Sequence, residues 1–227
     1  MEARNIGSGV HRQIITIATS KGGAGKTTVA RLILAWLARA GFRVAAVDAD
    51  FNHTLSDWVR TASKQPIDVE HELDETQIVP LVSRLHDSHD VVVVDTAGAA
   101  TQATIFAIGC ADLVIMPVQT SSADIVEAIK TRNLIRSASQ MMKREIPARV
   151  LLTSYQPGTN ISAHVESEIA KAKLPMMETK LHRLVAFQEM SFTGIVPVSG
   201  IAGFQGANLL AEIQELGGLP EAIKLAS

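Results

Sequence analysis

Ser20-Lys21-Gly22-Gly23-Ala24-Gly25-Lys26-Thr27-Thr28 joins a β-branched run, Gln13 to Thr19, to an apolar helical stretch, Thr27 to Ala40, which Gly41 ends. A glycine-rich loop in that setting wraps a phosphate with its backbone N–H groups, and the helix behind it favours negative charge at its N-terminus. Gly22, Gly23, Ala24 and Gly25 supply the wrap. Lys26 is spaced to reach the β- and γ-phosphates of a nucleotide, the Thr27 hydroxyl to bind Mg²⁺, and Thr28 to touch the α-phosphate. The first glycine of the usual G-x-x-x-x-G-K-[ST] pattern is replaced by Ser20, and a second lysine, Lys21, follows it.

Outward from the loop, short apolar runs alternate with helical stretches. This is the pattern of an α/β protein, a single-domain, mostly parallel twisted sheet with helices on both faces. Arg43 to Asp48, Val91 to Asp95, Leu113 to Val118 and Arg149 to Ser154 read as further strands, and the four valines at 91–94 belong at a sheet centre. Ala123 to Met142, a stretch from Asn160 to before Pro175, Arg183 to Thr193 and Leu209 to Leu216 read as helices. No linker, repeat or low-complexity stretch divides the chain, so residues 1–227 make one domain, with 1–12 expected to be loose. Two strands end in acids. In Val47-Asp48-Ala49-Asp50, alternation puts Asp48 and Asp50 on one side, where both could face a nucleotide. Asp95 closes the valine run, where an acid buried alone would be costly and a metal-linked role accounts for it.

A content of 47% hydrophobic residues suffices for a full core. No apolar run reaches the roughly 18 residues of a membrane span, and the segment before Gln13 lacks the apolar core of a signal peptide. Cys110, the only cysteine, can form neither an internal disulfide nor a thiolate metal cage. These features point to the cytoplasm. The net charge of -2 hides an asymmetry. Seven carboxylates face one arginine between Ile67 and Asp90, whereas six cations (Lys130, Arg132, Arg136, Lys143, Arg144, Arg149) face only Glu145 between Ala128 and Val150. A one-sided basic segment suits contact with phosphates.

From Ile14 to Pro197 the chain resembles the ParA/MinD family, whose deviant Walker A motif, K-G-G-x-G-K-[ST], is matched at Lys21 to Thr28. The resemblance implies a P-loop ATPase that binds ATP and Mg²⁺. It implies that Lys21 reaches across an ATP-bound homodimer to the partner's phosphates and that Asp50 positions the attacking water, so Lys21, Lys26 and Asp50 are the catalytic candidates. Asp48 would help hold the Mg²⁺ shell, and Asp95 looks like a Walker B aspartate bound to the metal through water. Asp50-Phe51-Asn52 departs from the family's D-x-D-P-Q. The asparagine with which family members read adenine is missing from Leu152-Thr153-Ser154-Tyr155, which leaves Thr153 or Ser154 as donors, with Pro197 and Val198 lining the adenine pocket. Pro117 to Asp124 is similar to the P-x-x-P-S-P-x-D segment at the family's dimer interface. Arg183 to Gly194 is similar to its R-x-A-[FY]-x-x-A-x-x-x-G helix, with Met190 in place of alanine.

Missing chemistry excludes several branches of that superfamily. One cysteine cannot supply the shared cluster of nitrogenase iron protein, and Tyr155, the only tyrosine, cannot make the tyrosine cluster of the related bacterial kinases. The stretch from Glu212 onward has Lys224 as its only cation, unlike the basic amphipathic helix by which MinD lies on membranes, so no membrane partner is expected. What remains is an ATP-dependent dimerisation switch with slow hydrolysis that binds DNA non-specifically on the nucleoid. It would partition or position DNA or another cargo through a ParB-like or cargo adaptor protein. The alternative is a metabolic P-loop enzyme that transfers a phosphoryl group or activates a carboxylate, as dethiobiotin synthetase does. That reading needs convergent polar side chains beside the γ-phosphate, and no single segment supplies them.

Overall fold

The computed structural model describes residues 13–220; the expectations for residues 1–12 and for Lys224 lie outside the described residues. In chain order the elements are β1 (Gln13–Ile17), α1 (Lys26–Arg39), β2 (Val44–Ala49), α2 (Thr54–Thr61), β3 (Ile67–His71), α3 (Glu75–Ser88), β4 (Val91–Thr96) and α4 (Gln102–Cys110). They continue with β5 (Leu113–Val118), α5 (Ser122–Met142), β6 (Ala148–Tyr155), α6 (Asn160–Lys171), β7 (Met176–His182), α7 (Val185–Thr193) and α8 (Gly200–Glu215). The strands form one sheet in the order β3-β2-β4-β1-β5-β6-β7, every neighbouring pair parallel.

Alternation along the central strands feeds both faces of the sheet. Ile15, Ile17, Val91 and Val93 pack under α1, α2, α7 and α8, whereas Ile14, Val92 and Val94 pack with α3 and α4. Val114, Met116, Val150 and Leu152 meet α5 and α6 on that second side. The valine strand β4 lies between β1 and β2, in the sheet interior its composition required.

Five elements escape the sequence reading: β3, β7, α2, α3 and α4. The two strands are the sheet's edges, and their sequences, IDVEH and MMETKLH, interleave charge with apolar residues. An edge strand has neighbours on one side only and needs no continuous apolar run. Two helix starts also shift. The helix expected from Arg183 begins at Val185, and the one expected from Leu209 begins at Gly200.

The order of strands fixes the site. β1 and β5 are neighbours, and the connection from β1 runs toward β2 while that from β5 runs toward β6, so the two part at their carboxyl ends and open a crevice there. The register sets Ile17 and Asp48 on either side of Asp95 at that same end.

Candidate functional site

α1 begins without a side-chain cap and with no acid in its first turn. By contrast, Asp74, Thr101, Ser121 and Thr159 each cap the helix that follows them, α3, α4, α5 and α6. The first N–H groups of α1 are thus left for an external acceptor, as an anion-binding helix start requires. Gly25 enters the helix at φ 96°, and Gly23 precedes it at φ 75°. Lys26 is buried, and its Nζ donates to the Lys21 carbonyl at 3.1 Å. Burial holds its pKa below the ordinary lysine value, while the Asp95 and Asp50 carboxylates favour its charge. Thr153 Oγ1 donates to Ala24 O at 2.9 Å, which braces the loop from β6.

Asp95 is 1% exposed, and neither carboxylate oxygen has a hydrogen-bond partner. Burial pushes its pKa up to about 7; Asp48 and Asp50 add to the rise, whereas Lys26 and the Thr27 hydroxyl, which is close without completing a hydrogen bond, pull it down. An orphaned buried carboxylate beside a threonine hydroxyl is a donor set that fits Mg²⁺.

The other two acids part company. Asp48 Oδ2 accepts the backbone N–H of Leu55 and Ser56 at 3.0 and 2.8 Å, and Oδ1 accepts that of Asp50 at 3.2 Å. It anchors the first turn of α2, whose N-cap residue His53 makes no side-chain cap. Asp48, expected to help hold the Mg²⁺ shell, thus carries two backbone donors on Oδ2 and one on Oδ1. Asp50 lines a cavity of about 500 Å³ with Lys26, Thr27, Thr28 and Gly98. Asn52 donates to Asp50 Oδ1 from both its backbone N and its Nδ2, each at 2.9 Å. One of the two residues that depart from the family pattern, Asn52, is thus the one that orients this carboxylate.

A second cavity, about 590 Å³, opens on the other side of the loop between Gly25, Thr28 and α7. Leu181, Leu184 and Phe187 give it apolar walls, and Gln188 and Ser154 give it polar ones. Pro197 and Val198, expected here, do not line it. At Gly194 φ is 67° and a Cβ would sit 1.6 Å from the Ala62 carbonyl, so α7 ends against the end of α2, and Val198 lies against Gly203 of α8. Thr153 does line the cavity, but its proton is committed to Ala24.

Lys21 is half-exposed, and its Nζ pairs with the buried Asp124 Oδ2 at 2.9 Å, in the first turn of α5. The other Asp124 oxygen, Oδ1, is buried without a partner. Both residues border a polar cavity of about 520 Å³, shared with Gln119, Ser154, Arg183 and Gln188. Residues distant in sequence meet there, which no linear reading could assemble.

The VirC1 protein family matches residues 12–207. The chain belongs to the VirC1 family. Its further relatives put this family within the ParA/MinD group of P-loop ATPases. Protein ParA of Rhizobium radiobacter is 29% identical over 73% of this chain and 78% of its own length. The maintenance of carboxysome distribution protein A of Halothiobacillus neapolitanus is 27% identical over 89% of this chain and 93% of its own. In fold, Cyanothece McdA, an aspartate-to-alanine variant in complex with ATP, superposes with a TM-score of 0.80 at 16% identity, covering 96% of this chain and 100% of that one.

The basic segment of this VirC1-family chain is less available than its composition suggests. Arg132 donates to Ala172 O, Arg144 to Gly109 O and Ala111 O, and Arg149 to Ala148 O, while Lys130 pairs with Glu127. Exposed cations remain at Arg136, Lys143 and Lys173. Among the described residues no helix is long and apolar enough to cross a membrane.

Proposed function

We propose that this chain is an ATP-dependent dimerisation switch with slow, Mg²⁺-dependent ATP hydrolysis, placing DNA or a DNA-borne cargo. Lys21 carries the reading. It is a second lysine at the mouth of the phosphate loop, and its ammonium is held by Asp124 rather than by the loop itself. A lysine so placed can exchange Asp124 for the phosphates of a second copy, where a shared triphosphate concentrates charge for it to neutralise.

Within one copy, the open start of α1 and Lys26 take the phosphates. Thr27 and Asp95 hold Mg²⁺, which supplies charge neutralisation when bound. Among the described residues no group of three His, Cys, Asp or Glu gathers to hold an ion. Asp50, fixed through Oδ1 by Asn52, keeps Oδ2 to order the attacking water. The base occupies the cavity walled by α7. Plasmid-partitioning and carboxysome-distribution relatives support a cargo-placing role with a ParB-like or adaptor partner, in the cytoplasm on nucleoid DNA. Around the basic segment, Arg136, Lys143 and Lys173 are cations available to DNA phosphates.

Sedimentation tests the switch: the wild type should dimerise with ATP and not with ADP, and Lys21→Ala should bind ATP as a monomer. A wild type that stays monomeric in ATP overturns the switch, and a dimerising Lys21→Ala overturns the trans role. The metabolic alternative gains one observation, the polar cavity bordered by Lys21, Asp124 and Arg183, which tertiary structure assembles from separate segments. Turnover that rises with a small carboxylate or alcohol, and without dimerisation, would select it.

A further inference from the structure

Arg31 lies on α1, one turn beyond Thr27, and borders both cavities that flank the phosphate loop. It is 8% exposed. Burial holds its pKa below the ordinary arginine value, and Asp95 and Asp48 favour its charge, although among the described residues it makes no ion pair. One terminal nitrogen donates to the Thr54 carbonyl at 2.7 Å, and Nε has no partner. A buried guanidinium so sparsely satisfied costs stability wherever it sits. An apolar residue would pack α1 more favourably, so the cation serves something other than the core.

Its contacts converge on one short segment. The chain from Asp50 to His53 ends at α2, and the first turn of α2 is gripped from two sides. Asp48 accepts the N–H groups of Leu55 and Ser56, and Arg31 donates to the carbonyl of Thr54. The Arg31 guanidinium also lies 5.5 Å from the centroid of the Trp58 ring, within cation–π range. Trp58 in turn donates its indole N–H to Met190 O in α7, at 2.8 Å. Arg31 therefore ties the phosphate-loop helix to α2, and Trp58 ties α2 to the helix that walls the base cavity.

We infer that Arg31 is a positioning residue for Asp50. By holding the start of α2 against α1, it fixes the segment 50–53 relative to the phosphate loop and sets where the Asp50 carboxylate stands. This rests on the hydrolytic reading above. It is distinct from phosphate binding in the contact that carries it, one terminal nitrogen donating to the Thr54 carbonyl, which holds α2 whether or not a nucleotide is bound.

Two variants of the full chain test it. Arg31→Met keeps the stem without charge, and Arg31→Lys keeps the charge without the planar fork. With folding checked by circular dichroism, both should lose tenfold or more in kcat for ATP. KM and the Kd for a fluorescent ATP analogue should stay within about threefold of wild type. In the nucleotide-free protein, amide hydrogen exchange over residues 52–56 should quicken about tenfold, while exchange in β4 stays unchanged. An unaltered kcat, a Kd that weakens in step with kcat, or unchanged exchange at 52–56 overturns the inference. If Arg31→Met fails to fold, Arg31→Lys decides. If the wild type shows no turnover at all, the hydrolytic reading fails by itself, and the exchange data still judge whether Arg31 holds the segment.

Discussion

Replacing Asp95 by asparagine in the protein free of nucleotide and Mg²⁺ should change how stability depends on pH, by an amount the structure fixes. Burial lifts the Asp95 carboxyl from an ordinary 3.8 to about 7. That gap is worth about 4 kcal/mol. Between the two values the folded chain keeps a proton that the unfolded chain has released. Stability therefore falls as pH rises through this window, by about 1.4 kcal/mol per pH unit, and levels off above 7. From pH 5.5 to pH 8 the loss owed to Asp95 is about 2 kcal/mol. Asparagine has nearly the same shape and no titration, so Asp95→Asn should lack this loss. The unpaired amide it buries carries its own cost, about 1–3 kcal/mol, which is constant with pH. Urea unfolding in EDTA at pH 5.5, 6.5, 7.2 and 8.0 measures both proteins, and other groups cancel in the difference. The difference should grow with pH in favour of the variant by about 2 kcal/mol. Parallel curves would refute the idea that Asp95 is an unsatisfied carboxylate held for a metal.

Asp50→Ala should keep ATP binding and lose turnover by about 10²-fold or more, since a water-ordering carboxylate is removed while the phosphate loop is untouched. Near-normal turnover in a malachite-green phosphate assay would remove that role. Gly98→Ala places a Cβ 2.8 Å from the Gly22 N and Cα, so the front of the phosphate loop must shift. ATP affinity by equilibrium dialysis should fall at least about tenfold, which is about 1.4 kcal/mol, and unchanged affinity would mean the loop yields without cost. For DNA, contact with about four phosphates per dimer predicts a log–log salt slope near -3.6, alike for two unrelated duplexes. Fluorescence anisotropy should show that binding only with ATP, and an Arg136→Glu, Lys173→Glu double variant that binds as well as wild type would clear this face.

The residues at 20–28 were legible because the chemistry is local. A loop that wraps phosphate needs its glycines, lysine and threonine at adjacent positions, and a parallel sheet covered on both faces needs the valine run that stands at 91–94. Asp95, at the end of that run, could be read as functional for the same reason. Alternation alone also put Asp48 and Asp50 on one side of a strand, but it could not tell them apart. Only folding brings the unfilled first turn of α2 over β2, where the N–H groups of Leu55 and Ser56 claim Asp48. The base side depended on folding too. Pro197 and Val198 were expected to line an adenine pocket, whereas the cavity beside the phosphate loop has Leu184 and Phe187 of the α7 region in its wall. The basic segment shows the same limit, since a charge count cannot register that Arg132 and Arg144 are spent on carbonyls of other elements. Sequence determined which groups carry the chemistry wherever their neighbours are within a few residues. Tertiary structure decided which oxygens and cations remain free, because a hydrogen bond between distant segments exists only once the sheet has set them side by side.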